Sequence, residues 1–146
     1  MTKLYTIGFT KKTAKHFFEL LENNKISKLV DIRANNTSQL AGFAKGSDLE
    51  YFVNKILQIP YFHNVDFAPT KELLSDYQNK KIDWNEYMKT FNMILDKRNI
   101  TSKYNVENFD GACFLCSEDV AVQCHRRLVV EYLKKNNPEI QIIHLK

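Results

Sequence analysis

Cysteine is scarce in this 146-residue chain and poorly placed for cross-linking: there are three, Cys113, Cys116 and Cys124, crowded into one short stretch. An odd number of thiols so close together cannot staple distant segments, which predicts reduced cysteines rather than a disulfide framework. Proline and glycine are also few, at three and four. Pro60, Pro69 and Pro138 fall between periodic segments as punctuation, with no linker, repeat or low-complexity tract. No apolar run approaches the roughly 18 residues of a membrane span, which excludes that class. The start, "MTKLYTIGFTKK", lacks an apolar signal core and a small-residue cleavage site, so a cytoplasmic protein is expected. Neither G-x-x-x-x-G-K-[ST] nor G-x-G-x-x-G occurs, which removes the common phosphate-loop readings.

What is present is ordinary in bulk. A hydrophobic share of 44% and a charged share of 26% fit a globular chain, expected as one domain over residues 1–146. The net charge of +4 comes from seventeen scattered lysines and four arginines, without a dense basic run. A nucleic-acid surface is therefore allowed but not indicated. Arginine is the more informative cation, because Arg33, Arg126 and Arg127 lie in the two stretches richest in other reactive side chains.

Strand-like and helix-like segments alternate. "KLYTIG" reads as a strand closed by Gly8, followed by a helix carrying Phe17, Phe18 and Leu21, with Thr10 available as N-cap. "SKLVDIR" is a second strand. Ser47 and Glu50 form a capping box before the Leu49, Phe52, Val53, Ile56 and Leu57 stripe, and "PYFHNV" is a third strand. Helices are expected from Thr70 to about Asn79, and after Asp83 and Glu86 with Trp84, Met88, Phe91 and Leu95 inward. Residues from about Asn99 to Asp110 read as a loop. "GACFLC" is a strand buried on both faces, His125 to Leu133 opens the last helix, and "IQIIHL" closes the chain as a strand. This order predicts an α/β class, a layered α/β/α fold with a mostly parallel sheet. Ligands of such sheets bind outside the carboxyl ends of the strands, where Gly8, Arg33 and Cys116 to Glu118 would meet if their strands are neighbours.

The densest chemistry is "CSEDVAVQCHRR", residues 116–127. Cys116 ends a buried strand ahead of a helix start. Helix N-termini and nearby arginines lower a thiol pKa toward the nucleophilic thiolate, so Cys116 is a candidate catalytic residue, the alternative being a small apolar residue that completes the strand. Cys113, three positions earlier on the strand, points to the opposite face and reads as packing. His125 lies on the inner stripe of the last helix, either as a base or orienter for Cys116 or Glu118, or as a buried neutral histidine on a backbone carbonyl. Cys116, Cys124 and His125 are also zinc or iron donors, but their spacing matches no standard finger or ribbon, so no cofactor is expected. Arg33 and Arg126 suit phosphate, sulfate or carboxylate, the competing arrangement being an internal ion-pair network with Asp31, Glu118 and Asp119. "ANNTSQLAGFAKGS" offers Thr37 and Ser38 as hydroxyl donors over the crevice, or is an ordinary connection. His63 and His144 read as sheet histidines and His16 as surface.

The segments "YTIGFT", "LVDIRANNTSQLAGF", "IPYFHNVDFAP" and "FLCSEDVAVQCHRRLVVEYL" resemble the domain of unknown function 488 family, over nearly the whole chain and in the same order. Its members carry a T-I-G segment, a V-D-[VI]-R strand and a C-x-E…C-H-R segment. The resemblance implies an α/β domain and little about activity. Its characteristic residues fall here on Thr6, Gly8, Asp31, Arg33, Ser38, Cys116, Glu118, Cys124, His125 and Arg126. This chain departs from the pattern in having Phe9 where a histidine often follows T-I-G, and Asn35, Asn36, Thr37 and Gln39 where proline and basic residues usually surround the serine.

The expectation is an enzyme for a phosphate-bearing or other anionic substrate, with a nucleotide or nucleic-acid end among the candidates. Cys116, Glu118 and His125 would be catalytic, and Thr6, Gly8, Asp31, Arg33, Ser38 and Arg126 substrate-binding. Two alternatives stay open: a non-catalytic nucleic-acid module using lysines with Tyr51, Tyr61 and Phe62, and a metal-binding protein using Cys116, Cys124 and His125. No membrane partner is expected.

Overall fold

The strand with the most continuous apolar run, Ala112–Cys116 (β4), is buried at every position and lies in the middle of the sheet. The computed structural model describes residues 1–37, 42–117 and 124–146. In it, β1 (Lys3–Gly8), β2 (Lys28–Asp31), β3 (Tyr61–His63), β4 and β5 (Gln141–His144) form one sheet in the order β3-β2-β4-β1-β5. All four pairings are parallel, with Gly8 opposite Cys116 and Asp31 opposite Leu115. The sheet is therefore wholly parallel.

Alternation along each strand sends side chains to two cores. On one face Tyr5, Ile7, Leu29, Cys113 and Leu115 pack with Phe17, Phe18 and Leu21 of α1 (Ala14–Asn23) and Leu49 of α2 (Gly46–Phe52). On the other, Leu4, Val30 and Phe114 meet Phe91 and Leu95 of α4 (Trp84–Lys97) and Leu128, Val129 and Leu133 of α6 (His125–Asn136), with Leu73 of α3 (Lys71–Gln78) joining them. Each fully buried Leu or Phe contributes roughly 1.5–3 kcal/mol. After β1 and β2 the chain turns to helices on the first face, whereas after β4 it turns to α6 on the second. The helices that follow β1 and β2 thus lie on one face and α6 on the other, and in open α/β sheets such a switch of face places a crevice at the carboxyl ends of the strands.

Several local expectations are corrected. The N-cap of α1 is Thr13, whose hydroxyl accepts from the His16 N–H, while the Thr10 hydroxyl and N–H both donate to the Ser117 carbonyl. Ser47 and Glu50 form no box: Lys45 occupies the N-cap of α2 without a side-chain bond, because the helix starts one residue before the serine. It runs on into a wider turn, Val53–Leu57, ended by Gln58 in the left-handed region. The stretch read as a loop holds α5 (Ile100–Lys103) and a tight turn at Val106–Phe109, anchored by buried Ile100, Val106 and Phe109. Trp84 and Met88 are only partly buried, and Tyr87 takes the deeper place on α4. Among the described residues, no helix is long and apolar enough to cross a membrane.

Candidate functional site

β4 ends at Cys116, and α6 begins with Cys124 as its N-cap and His125 as its first residue, so strand and helix deliver three reactive side chains to one point. Cys116 Sγ lies 3.3 Å from His125 Nδ1, and His125 Nε2 lies 2.7 Å from the Ile32 carbonyl oxygen. A carbonyl can only accept, so Nε2 carries a hydrogen and Nδ1 is the nitrogen turned to the thiol. The result is a thiol, a base and an orienting acceptor in sequence. The Cys124 thiol donates to Cys116 Sγ at 2.8 Å, and this bond, with burial second, pushes Cys124 well above the usual thiol range. Cys124 therefore holds its proton against the Cys116 sulfur. Cys113 is fully buried on the opposite face, with its thiol pushed up by burial.

Asp31 and Arg33 form a second, separate unit. Arg33 Nε and Nη2 donate to the two Asp31 oxygens at 2.9 and 2.7 Å, and Nη2 also donates to the Ala44 carbonyl at 2.7 Å. The Tyr61 hydroxyl donates to Asp31 Oδ2 at 2.5 Å and accepts from Asn36 Nδ2 at 3.0 Å. Burial, followed by the Asp31 charge, pushes the Tyr61 phenol up, so it stays a donor. Burial works against the Arg33 charge, but Asp31 outweighs it and the net shift is upward. The Phe9 ring faces the guanidinium with its centroid 5.2 Å away. Much of Arg33 is thus spent on Asp31, as in an internal network. Among the described residues its Nη1 has no acceptor, and Arg33 lines the cavity described below.

Thr6 of β1 and Arg126 in the first turn of α6 are both fully buried. Arg126 Nε donates to the Thr6 hydroxyl at 3.3 Å, which in turn meets His144 Nδ1 at 2.5 Å, and Arg126 Nη1 lies 3.8 Å from Cys124 Sγ. Burial and then the Arg126 charge push His144 below the usual histidine range. His63 Nε2 meets the Arg33 carbonyl at 2.7 Å, and His16 is exposed.

A cavity of about 410 Å³ opens over the thiols. Cys116, Cys124, His125 and Ser117 lie along it with Arg33 and Lys71, and Tyr77, Trp84, Tyr87 and Leu74 give it an aromatic and apolar wall. No acidic side chain among the described residues lines it. Of the expected site residues, Cys116, His125 and Arg33 border the cavity, whereas Thr6, Gly8, Asp31 and Arg126 lie outside its lining. Glu118 and Ser38 lie outside the described residues. Lys71, Tyr77, Trp84 and Tyr87 had no sequence signal, since their helices read only as core stripes. The charge on Lys71 at the first position of α3 was the one available cue.

Among the described residues, Cys116, Cys124 and His125 are the one group of three metal-donor side chains, with donor atoms within 4.8 Å of one another. Two thiolates at about 2.3 Å on a tetrahedral zinc stand roughly 3.8 Å apart. The sulfurs at 2.8 Å would have to separate to share such an ion.

The fold and site define an α/β protein with a cysteine–histidine cluster at the carboxyl end of a parallel sheet. Residues 13–133 match the family described as "Domain of unknown function DUF488", and the chain belongs to it. No curated protein matches the chain. No solved structure matches it either.

Proposed function

We propose that the protein is a thiol enzyme acting on a small anionic substrate bound in the cavity over β4. The observation that carries this reading is the Cys116 Sγ to His125 Nδ1 contact of 3.3 Å, with His125 Nε2 held by the Ile32 carbonyl. Nδ1 takes the thiol proton, the Cys116 sulfur attacks the electrophilic centre of the substrate, and the departing group recovers the proton from His125. Cys124 supports the developing thiolate through its S–H. Arg33 Nη1 and Lys71 supply positive charge to a lining that holds no carboxylate among the described residues, which favours phosphate, sulfate or carboxylate on the substrate. Glu118 belongs to the same proposal as a second proton carrier.

The nucleic-acid reading has less support. Tyr51 and Phe62 are exposed, but the Tyr61 hydroxyl is committed to Asp31.

The test is iodoacetamide alkylation of the intact protein, read by peptide mass. Cys116 is expected to be the fast-reacting thiol, and His125→Ala to slow it on the order of 100-fold, the lower end of a general-base contribution. Millimolar phosphate or sulfate should protect Cys116, with the protection lost in Lys71→Gln. Equal, slow reaction at every thiol with no effect of anions would end the proposal. A screen of phosphoesters and nucleotides then asks for turnover that Cys116→Ser abolishes.

A further inference from the structure

The Cys124 thiol has a second use that substrate chemistry does not need. We infer that Cys116 and Cys124 form a reversible disulfide under peroxide, which makes the site a modification site as well as a reaction centre. The inference rests on Cys116 being the reactive thiol of the proposed function.

Geometry carries it. The two sulfurs are 2.8 Å apart, both residues are buried, and both border the cavity. A disulfide requires about 2.05 Å, so closing the bond asks for a movement of roughly 0.8 Å. Cys116 is the last residue of β4, and Cys124 is an N-cap in extended conformation, outside the hydrogen-bonded body of α6. A small rotation of either side chain leaves sheet and helix intact. Cys113 is no competitor, because it lies fully buried on the other face of β4. His125 stands beside both sulfurs, with its donor atom in the same 4.8 Å group.

The chemistry balances with hydrogen peroxide as oxidant. The Cys116 thiolate attacks one peroxide oxygen, the O–O bond breaks, and the leaving hydroxide takes a proton from His125 to become water, leaving a sulfenic acid on Cys116. Cys124 then gives its proton to His125, and its sulfur attacks the Cys116 sulfur. The S–O bond breaks and hydroxide again leaves as water with that proton. Two thiols and one peroxide become one disulfide and two waters. The site is then silent, since its nucleophile is in the bond. A dithiol reductant restores it.

The experiment is titration of the full chain with hydrogen peroxide, read by intact mass, peptide mapping and thiol counting, beside the alkylation assay. The expected result is loss of two of three free thiols, a Cys116 to Cys124 cross-linked peptide, and full recovery with dithiothreitol. In Cys124→Ser, Cys116 should accumulate as a sulfenic acid trapped by dimedone, while Cys113→Ser should behave as the parent. Cys124→Ala serves if the serine variant misfolds, and the parent protein alone suffices for the cross-link. If Cys116 alkylates fast but peroxide yields no cross-link, or only sulfinic acid, the inference fails and the proposed function stands. If Cys116 reacts with neither reagent, both fail. Stoichiometric bound zinc that shields both thiols from peroxide would also overturn it.

Discussion

The Asp31 carboxylate gathers the Arg33 guanidinium and the Tyr61 hydroxyl into one network. Asp31 is fully buried and receives both arms of Arg33 and the Tyr61 hydroxyl, so its charge is compensated on every side. Removing one partner of a buried pair leaves the other uncompensated, at a cost of about 3–5 kcal/mol. Asp31→Asn should therefore lower the urea-unfolding free energy by about that amount. Tyr61→Phe, which deletes one hydrogen bond to a charged group, should cost about 1.5–3 kcal/mol. If Asp31→Asn is neutral, the network does not stabilise the fold. Arg33 was legible in the sequence as a strand-end cation, but its commitment to Asp31 was only one of two open readings. Local pattern does not say whether a charge two residues away folds back or faces out.

At the scale of elements, Thr13 takes the N-cap place that spacing offers to Thr10. Thr13 caps α1, whereas Thr10 ties the end of β1 to Ser117, just past β4. Thr13→Ala should cost about 1 kcal/mol, the usual price of a lost N-cap, and leave Cys116 alkylation unchanged. Thr10→Ala should do the reverse, with little change in unfolding free energy and a measurable change in the Cys116 rate, because Ser117 adjoins the nucleophile. Comparing urea curves and alkylation rates of the two variants separates these roles. Identical effects would remove the tie from the site's support. The periodic helices α3, α4 and α6 were legible because amphipathic spacing is a local property. α5 and the tight turn after it were not, since Ile100 of the one and Val106 and Phe109 of the other gain their partners from other elements.

For the whole molecule, the two faces of the sheet make the thiols report on different events. Cys116 and Cys124 border the cavity, while Cys113 is fully buried in the opposite core. Cys113 should label only when the fold opens globally, so its rate in increasing urea should track the unfolding equilibrium, while Cys116 labels in the native state. Labelling of Cys113 without urea would mean that this core opens locally. Stability should also depend on acid through His144, whose folded pKa lies below the ordinary value of 6.5 owing to burial and then Arg126. A histidine depressed in the fold binds protons more readily when unfolded, so its contribution is complete above about 6.5 and is lost as pH falls through its folded value. The urea midpoint should fall on acidification from about 6.5 downward. His144→Gln should flatten that slope, and an unchanged slope would place the acid sensitivity elsewhere.

The sequence by itself determined the alternation of strands and helices, the burial of "GACFLC" and the meeting of a strand end with a helix start at residues 116–127. These follow from periodicity and turn chemistry within a few residues. Only the tertiary structure decided that β4 lies between β1 and β2, that the Ile32 carbonyl orients His125, that the Cys124 sulfur rests on Cys116, and that α3 and α4 wall the cavity. Each of these depends on strand order and packing across the sheet. The free energy that selects them comes from contacts between residues distant in the chain, which no local pattern encodes.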